Sequence, residues 1–354
     1  HSPQWFADEI QALVQRGVTH FYISDDTFTT DPEKVIAFCK KIVSQKIDIT
    51  WNAISRVDYI DRELLSWMRR ADCLQISFGV ESGSRKIKKA LGKPVANRAC
   101  IRAFSLTRSH GIMARAYFIY GSPGETQKTI QESCNLMLAL KPLATVFYLL
   151  VIFPGTHLYR QAVQKGAITD EIWHREMEDL PWFELDDTLD FPRVKTFGDT
   201  LRQTFFKNLP RFVLELDLVE EKALYPFHAD FLSRLAMTFS HGEYAQDPRI
   251  NRIKETDKIA EHLFERALSY SPHPRAFMGI ALLLQKQKKF TQAKNHLAKG
   301  LDHFPGNKEL SVCMGVCLMN QAQFKKALPF FTPFKDDPNM DPYINICSAQ
   351  EQTS

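Results

Sequence analysis

Four short clusters hold the side chains best suited to chemistry. They are Asp25-Asp26-Thr27-Phe28-Thr29, Gly79-Val80-Glu81-Ser82-Gly83-Ser84, Gly121-Ser122-Pro123-Gly124-Glu125-Thr126 and Pro154-Gly155-Thr156-His157-Leu158-Tyr159. Two adjacent carboxylates in one turn repel, which favours Asp25 or Asp26 taking a cation. The plainer reading is an Asx turn leading out of a strand. Glu81 follows the apolar run Ile76, Phe78, Val80, and a buried carboxylate needs a partner. Ser82 either meets a ligand or caps the next turn. Arg56 offers a planar fork for a carboxylate, or pairs with Asp25, Asp26 or Asp58. Gly121 and Gly124 let backbone approach a flat ring. Glu125 falls in the first turn of a predicted helix, where the dipole favours an acid.

The elements that must position these clusters alternate between strand and helix patterns. Ser2-Pro3 caps a helix with Phe6, Ile10, Leu13 and Val14 on one face, stopped by Gly17. Strands are predicted over 19–24, 47–53, 73–80, 113–120 and 145–152. Helices are predicted from Asp31-Pro32, from Asp61, over 97–110 and over 126–140. Five strands separated by helices argue for a parallel sheet or a (β/α) barrel. Asp25, Asp26, Ser55, Arg56, Glu81, Ser82, Gly121 and Glu125 all fall just past strand C-termini, the rim where such folds build sites. The chain opens with a helix, so a strand that should precede it is expected upstream. His1, not Met, stands first, which leads to the same expectation.

Composition narrows the classes. The chain has 354 residues, 44% hydrophobic and 12% aromatic, which supports two domains with real cores. A net charge of +4 without a basic stripe gives no nucleic-acid footprint. No apolar run nears the roughly 20 residues needed to span a bilayer. Seven widely spaced cysteines argue against a disulfide framework and for a reducing cytoplasm. Cys313 and Cys317 read as core residues of a helix. The histidines show no metal-ligand spacing. Arg85, Lys86, Lys88 and Lys89 read as a solvated helix face.

Residues 157–240 look irregular, with several helical pieces and many aromatics, among them Trp173, Trp182, Phe183, Phe191, Phe197, Phe205, Phe206 and Phe212. From 241 a period of about 34 residues appears. Ala260, Phe264, Ala267 and Pro272 recur as Ala293, Leu297, Gly300 and Pro305, and again as Ala327, Phe331 and Phe334 with Pro338 near the turn. The first helix of the first unit, around Tyr244, reads as degenerate. This stretch resembles tetratricopeptide repeats, which implies a small helical stack able to take a protein partner.

The four strand-end clusters, in this order, resemble the radical S-adenosylmethionine (SAM) superfamily, in particular its cobalamin-associated branch. The resemblance covers residues 1 to about 160. It implies a partial (β/α) barrel over 1–156 that lacks its first strand; the irregular, aromatic-rich helical extension over 157–240 and the all-α repeats over 241–354 follow it. It further implies SAM beside a [4Fe-4S] cluster, with reductive cleavage of SAM driving a radical modification. Asp25 or Asp26 would take the SAM ammonium, Arg56 its carboxylate, Glu81 and Ser82 its ribose or amino-acid end, and Gly121 and Glu125 its adenine side. Such a ligand needs these acceptors and donors. The family's Cys-x3-Cys-x2-Cys is absent, so the chain reads as truncated after the cluster motif and inactive by itself. A cobalamin domain would lie further upstream. Methyl transfer and hydrogen abstraction both stay open, as does the substrate. Two other readings remain: a non-catalytic barrel-plus-repeat scaffold, and an intact (β/α) enzyme using Asp25, Asp26, Glu81 and Arg56 on a metal or phosphate.

Overall fold

The computed structural model describes residues 1–174 and 186–351. Trp182 and Phe183 lie outside them. The chain divides into two compact units, His1–Val219 and Glu220–Ser354. The boundary falls inside the stretch 157–240 that the sequence sets apart.

The first unit runs α1 (Pro3–Val14), β1 (His20–Ile23), α2 (Pro32–Ser44), β2 (Thr50–Ser55), α3 (Arg62–Arg70), β3 (Cys73–Glu81), α4 (Arg85–Ala90) and α5 (Asn97–Ser109). It continues through β4 (Met113–Tyr120), α6 (Gln127–Leu140), β5 (Ala144–Leu149), α7 (His157–Gln164) and α8 (Phe191–Leu214). The helix starts are those of the sequence reading. Ser2, Asp31, Asp61 and Thr126 each accept a backbone N–H from their own first turn.

All strands pair in parallel, in the order β1-β2-β3-β4-β5. Right-handed crossovers that always step the same way leave their helices on one face. A doubly wound sheet reverses its order instead. The other face therefore stays free of crossover helices. Burial follows: β2 and β4 alternate strictly between buried and partly exposed positions. The covered face carries Trp51, Ala53, Ile76, Phe78, Ala114, Ala116 and Phe118, all fully buried. Phe38 packs on Trp51 with ring centroids 6.0 Å apart, and Phe104 on Phe78 at 5.3 Å. Each buried ring contributes roughly 1.5–3 kcal/mol.

The sheet is curved. Tyr22 of β1 and Tyr117 of β4 face each other closely enough for hydrogen bonding. In a flat sheet three strand spacings, about 14 Å, would separate their backbones. A side-chain meeting over two intervening strands needs the sheet to bend towards its open face. The architecture is a five-stranded half-barrel followed by helices, as the sequence predicts.

After β5 the irregular reading gives way to order. α8 is a 24-residue helix capped by Asp190. It lies on the covered face, where Gly198 meets the Tyr120 ring and Arg202 donates to Tyr120 Oη at 2.9 Å.

The second unit is helical: α9 (Tyr225–Phe239), α10 (Pro248–Asn251), α11 (Thr256–Tyr270), α12 (Pro274–Lys286), α13 (Phe290–His303), α14 (Lys308–Met319), α15 (Phe324–Phe331) and α16 (Asp341–Glu351). From α11 on, each helix packs against the next in sequence. The segment around Tyr244 is a short 3-10 turn, and α11 pairs instead with α9. Gly242 and Pro248 bracket that turn and prevent a helix there. Cys313 and Cys317 lie in the core of this unit, as expected.

Candidate functional site

The strands end at one edge of the half-barrel, and the loops leaving it carry the residues singled out above. After β1, Asp25 and Asp26 are exposed. Asp25 Oδ1 accepts the Thr27 amide at 2.8 Å, an Asx turn. The Asp26 carboxylate has no partner among the described residues; its backbone carbonyl accepts Thr27 Oγ1 at 2.8 Å. The turn then buries Thr29, whose hydroxyl bonds that of Ser55 at the end of β2. The first two loops are thereby tied together. Arg56 follows Ser55 and pairs with Asp58 at 2.8 Å, both half-exposed.

The end of β3 is the most constrained point. Gly79 pairs with Tyr117 and Glu81 with Phe118, so Val80 is an extra residue, a bulge. Glu81 takes a φ of 62°, and the Ser82 amide donates to the Val80 carbonyl at 2.8 Å. An i→i+2 bond around a residue of positive φ is a rare, strained turn. It aims a glutamate that is only 9% exposed at one cation, Lys93. Gly79 makes room for this pair: a Cβ there would run into Lys93 Nζ and Glu81 Oε1. The pair therefore stands on the open face, at the mouth of the half-barrel.

Ser82 is fully buried. Its Oγ lies 3.1 Å from Ser133 Oγ of α6 and accepts the Ser84 amide at 3.1 Å, while Ser133 Oγ accepts the Gly83 amide at 2.8 Å. These bonds fasten the β3 loop to α6. Lys86 reaches across to the Gly124 carbonyl at 3.2 Å and links the β3 and β4 loops.

At the end of β4, Gly121 takes a φ of 85°. Glu125 lies beneath the turn, 2% exposed. Its Oε2 accepts the Gly121 amide at 2.7 Å and the Ser122 amide at 3.2 Å. Burial pushes its carboxyl up to about 7, and the two amides draw it back only in part. Ser122 Oγ is buried with no partner among the described residues. Gly124 donates to Asp186 at 2.6 Å. After β5, Thr156 caps α7.

The solvated-face reading fails for Lys88. It is buried, and its Nζ donates to the Val95 carbonyl at 3.1 Å and Asn97 Oδ1 at 2.7 Å. The loop 91–96 folds back over α4 and covers it. Lys93 and Ser133 escaped the sequence reading, while Thr29 and Gly79 stood in its clusters without an assigned role. Only Gly79 left a local signal, two residues before Glu81 on a strand of period two.

The cysteines do not fit an iron–sulfur ligand set. Burial raises the thiols of Cys39, Cys73, Cys100 and Cys134, opposite to what a thiolate ligand requires. Among the described residues no group of three His, Cys, Asp or Glu is suited to a metal ion. The edge does fit a cationic nucleotide bearing a carboxylate. It presents a carboxylate at Asp26 that is unpartnered among the described residues, a half-exposed guanidinium at Arg56 and a glycine turn of positive φ at Gly121.

Over part of the chain a class can be given: residues 2–137 match the Radical SAM superfamily. Particular relatives give it detail. An uncharacterized methyltransferase of Pyrococcus horikoshii is 27% identical over 176 residues, 49% of this chain and 38% of that protein. The anaerobic magnesium-protoporphyrin IX monomethyl ester cyclase of Rubrivivax gelatinosus is 27% identical over 171 residues, 48% of this chain and 31% of that one. The chain spans about a third of the length of these relatives. Among solved structures, the radical SAM methyltransferase TsrM from Kitasatospora setae, with cobalamin and a [4Fe-4S] cluster bound, aligns with a TM-score of 0.48 at 15% identity. That alignment covers 73% of this chain and 54% of TsrM. No helix among the described residues is long and apolar enough to cross a membrane.

Proposed function

We propose that this chain is the SAM-holding part of a radical SAM enzyme, and that the cluster's cysteines and any cobalamin domain lie outside residues 1–354. The observation that carries the proposal is the family match over 2–137, which falls on a half-barrel whose acidic and glycine-bearing loops share one edge. Asp25 or Asp26 takes the SAM ammonium and Arg56 its carboxylate. Glu81, steadied by Lys93, takes the ribose or amino-acid end. Gly121 lies along the adenine, on a turn that Glu125 shapes from below, and Ser82 locks the β3 loop against α6. When SAM and a reduced cluster are bound, they supply a carbon radical for an unreactive substrate position. Relatives named as methyltransferases make methyl transfer the favoured outcome. The helical hairpins of the second unit serve a protein partner, as such stacks do. Seven buried, unbridged thiols suit a reducing cytoplasm.

Calorimetric titration of the chain with SAM tests the assignment. Saturable binding is expected, weakened about tenfold by Glu81→Gln. No binding, or binding indifferent to Glu81→Gln and to the double change Asp25→Asn/Asp26→Asn, overturns it. The radical part is tested by the gene. Three clustered cysteines should precede His1, and the full product, reconstituted anaerobically with iron and sulfide, should release 5′-deoxyadenosine from SAM.

A further inference from the structure

The open face of the half-barrel carries groups that the SAM assignment does not use. Ser77 and Arg115 are register partners on β3 and β4 and so share a face. It is the open one, because Phe78, next to Ser77, packs under α5. Ser77 is fully buried, and its Oγ has no partner among the described residues. Arg115 forms no ion pair or hydrogen bond among the described residues, although it is only partly exposed. Its charge is felt by the phenols of Tyr22 and Tyr148. Tyr117 completes the ring, facing Tyr22 and lying 5.6 Å from Tyr148, edge to face.

Deeper on the same face the polar groups satisfy each other. His20 Nδ1 bonds Thr50 Oγ1 at 2.8 Å, and Asn52 Nδ2 lies 3.2 Å from His20 Nε2. The contrast singles out the Arg115 level. Leaving a buried hydroxyl unpaired costs about 1–3 kcal/mol. A guanidinium without an anion, in register with that hydroxyl on the same face, suits an oxyanion.

Its depth sets the ligand's length. Glu81 at the mouth is level with Phe118, three residues along β4 from Arg115. That is about 10 Å of strand. Tyr117 and Tyr148 line the way between, and Tyr148 is 49% exposed to receive a flat surface.

We propose that the open face is the substrate pocket, and that it takes a flat unsaturated molecule with an oxyanion at its far end, held by Arg115 and Ser77 between Tyr22, Tyr117 and Tyr148. This anchors the substrate by its acidic end and leaves its other end, about 10 Å away, at the mouth. Carboxylate and phosphate-type groups share this chemistry, because both fit the arginine fork. The reading rests on the SAM assignment only for which end reacts. The binding itself does not need SAM.

The test uses the chain without SAM, with 4-phenylbenzoate as probe and its neutral amide as control, followed by calorimetry and ligand-observed NMR. 4-Phenylbenzoate should bind about tenfold or more tightly than 4-phenylbenzamide. Arg115→Gln should abolish that preference, and Arg115→Lys should restore part of it. SAM titrations of the same variants should match the unaltered chain, so failure here and failure of the SAM assignment show up in different experiments. 4-Phenylphosphonate arms then tell whether carboxylate or phosphonate is preferred, and either preference supports the proposal. Equal binding of acid and amide overturns it. So does acid binding that survives Arg115→Gln, or competition by inorganic phosphate alone as strong as by the aryl acid. If Arg115→Gln fails to fold by circular dichroism, the acid-to-amide ratio of the unaltered chain still decides.

Discussion

At the scale of single residues, the β3 and β4 turns hold two glycines and one glutamate with separable duties. A Cβ on Gly79 would meet the tips of Lys93 and Glu81, which are free to swing aside. A Cβ on Gly83 would meet the Glu132 carbonyl and, at 2.6 Å, Ser133 Cα, which are not. Gly79→Ala should therefore cost under about 1 kcal/mol of stability yet weaken SAM binding, whereas Gly83→Ala should cost about 2–3 kcal/mol. Urea unfolding beside SAM titration separates the two, and equal stability losses would refute the distinction. Glu125 adds a pH dependence. Burial raises its carboxyl from 4.5 to about 7. Below 4.5 folded and unfolded chains both carry the proton. As pH climbs to 7 the unfolded chain ionises first, so stability falls across that window and the loss is complete above it. Glu125→Gln stays neutral, and its amide oxygen still accepts from Gly121 and Ser122. The variant should lack the decline, which is on the order of 3 kcal/mol. Melting curves from pH 5 to 8 check this, and parallel curves for both proteins would count against a buried, proton-holding Glu125.

At the scale of elements, the strands were legible from their β-branched and aromatic runs, and three exits, at Asp25, Glu81 and Gly121, from the residue that ends the run. β4 reads Met-Ala-Arg-Ala-Tyr-Phe-Ile-Tyr, and its alternate residues Ala114, Ala116 and Phe118 are those the helices cover. What local pattern does not encode is which distant residue completes each turn. Lys93 reaches Glu81 through a loop that folds back, and Ser133 reaches the β3 exit from another helix. Lys88 looked solvated because its burial is imposed by the Val95 carbonyl and Asn97, not by its own helix. α8 was missed as one long helix because Gly198 and Pro210 interrupt its pattern. Gly198 is nonetheless wanted against Tyr120, where packing overrides propensity. The Ser133 joint gives a test at this scale. Ser133→Ala strips partners from the Ser82 hydroxyl and the Gly83 amide, both buried. A loss of about 1–3 kcal/mol is expected, with faster amide exchange at residues 82–84. Unchanged exchange there would mean α6 does not anchor the loop.

At the scale of the whole molecule, the two units are built by different rules, and the second repeats one device. Gly279 of α12 receives the Phe264 ring of α11, Gly300 of α13 receives Phe277 of α12, and Gly315 of α14 receives Phe331 of α15. A missing Cβ lets neighbouring helices close on a phenyl ring, so small residues are wanted at these helix contacts. The device makes the second unit sensitive at positions that look harmless. Gly315→Ala improves helix propensity by about 1 kcal/mol. It also drives a methyl into the Phe331 ring, whose Cε1 would lie 2.7 Å away. That ring is fully buried and has no room to retreat. Overpacking costs about 1–3 kcal/mol, so the clash outweighs the propensity gain and the variant should be less stable. Because each unit has its own core, the damage should stay local. Hydrogen exchange by mass spectrometry should show lost protection across α12 to α16, with β1 to β5 exchanging as in the unaltered chain. Equal loss in the strands would show that the two cores unfold as one cooperative body, contrary to the division at Val219 and Glu220.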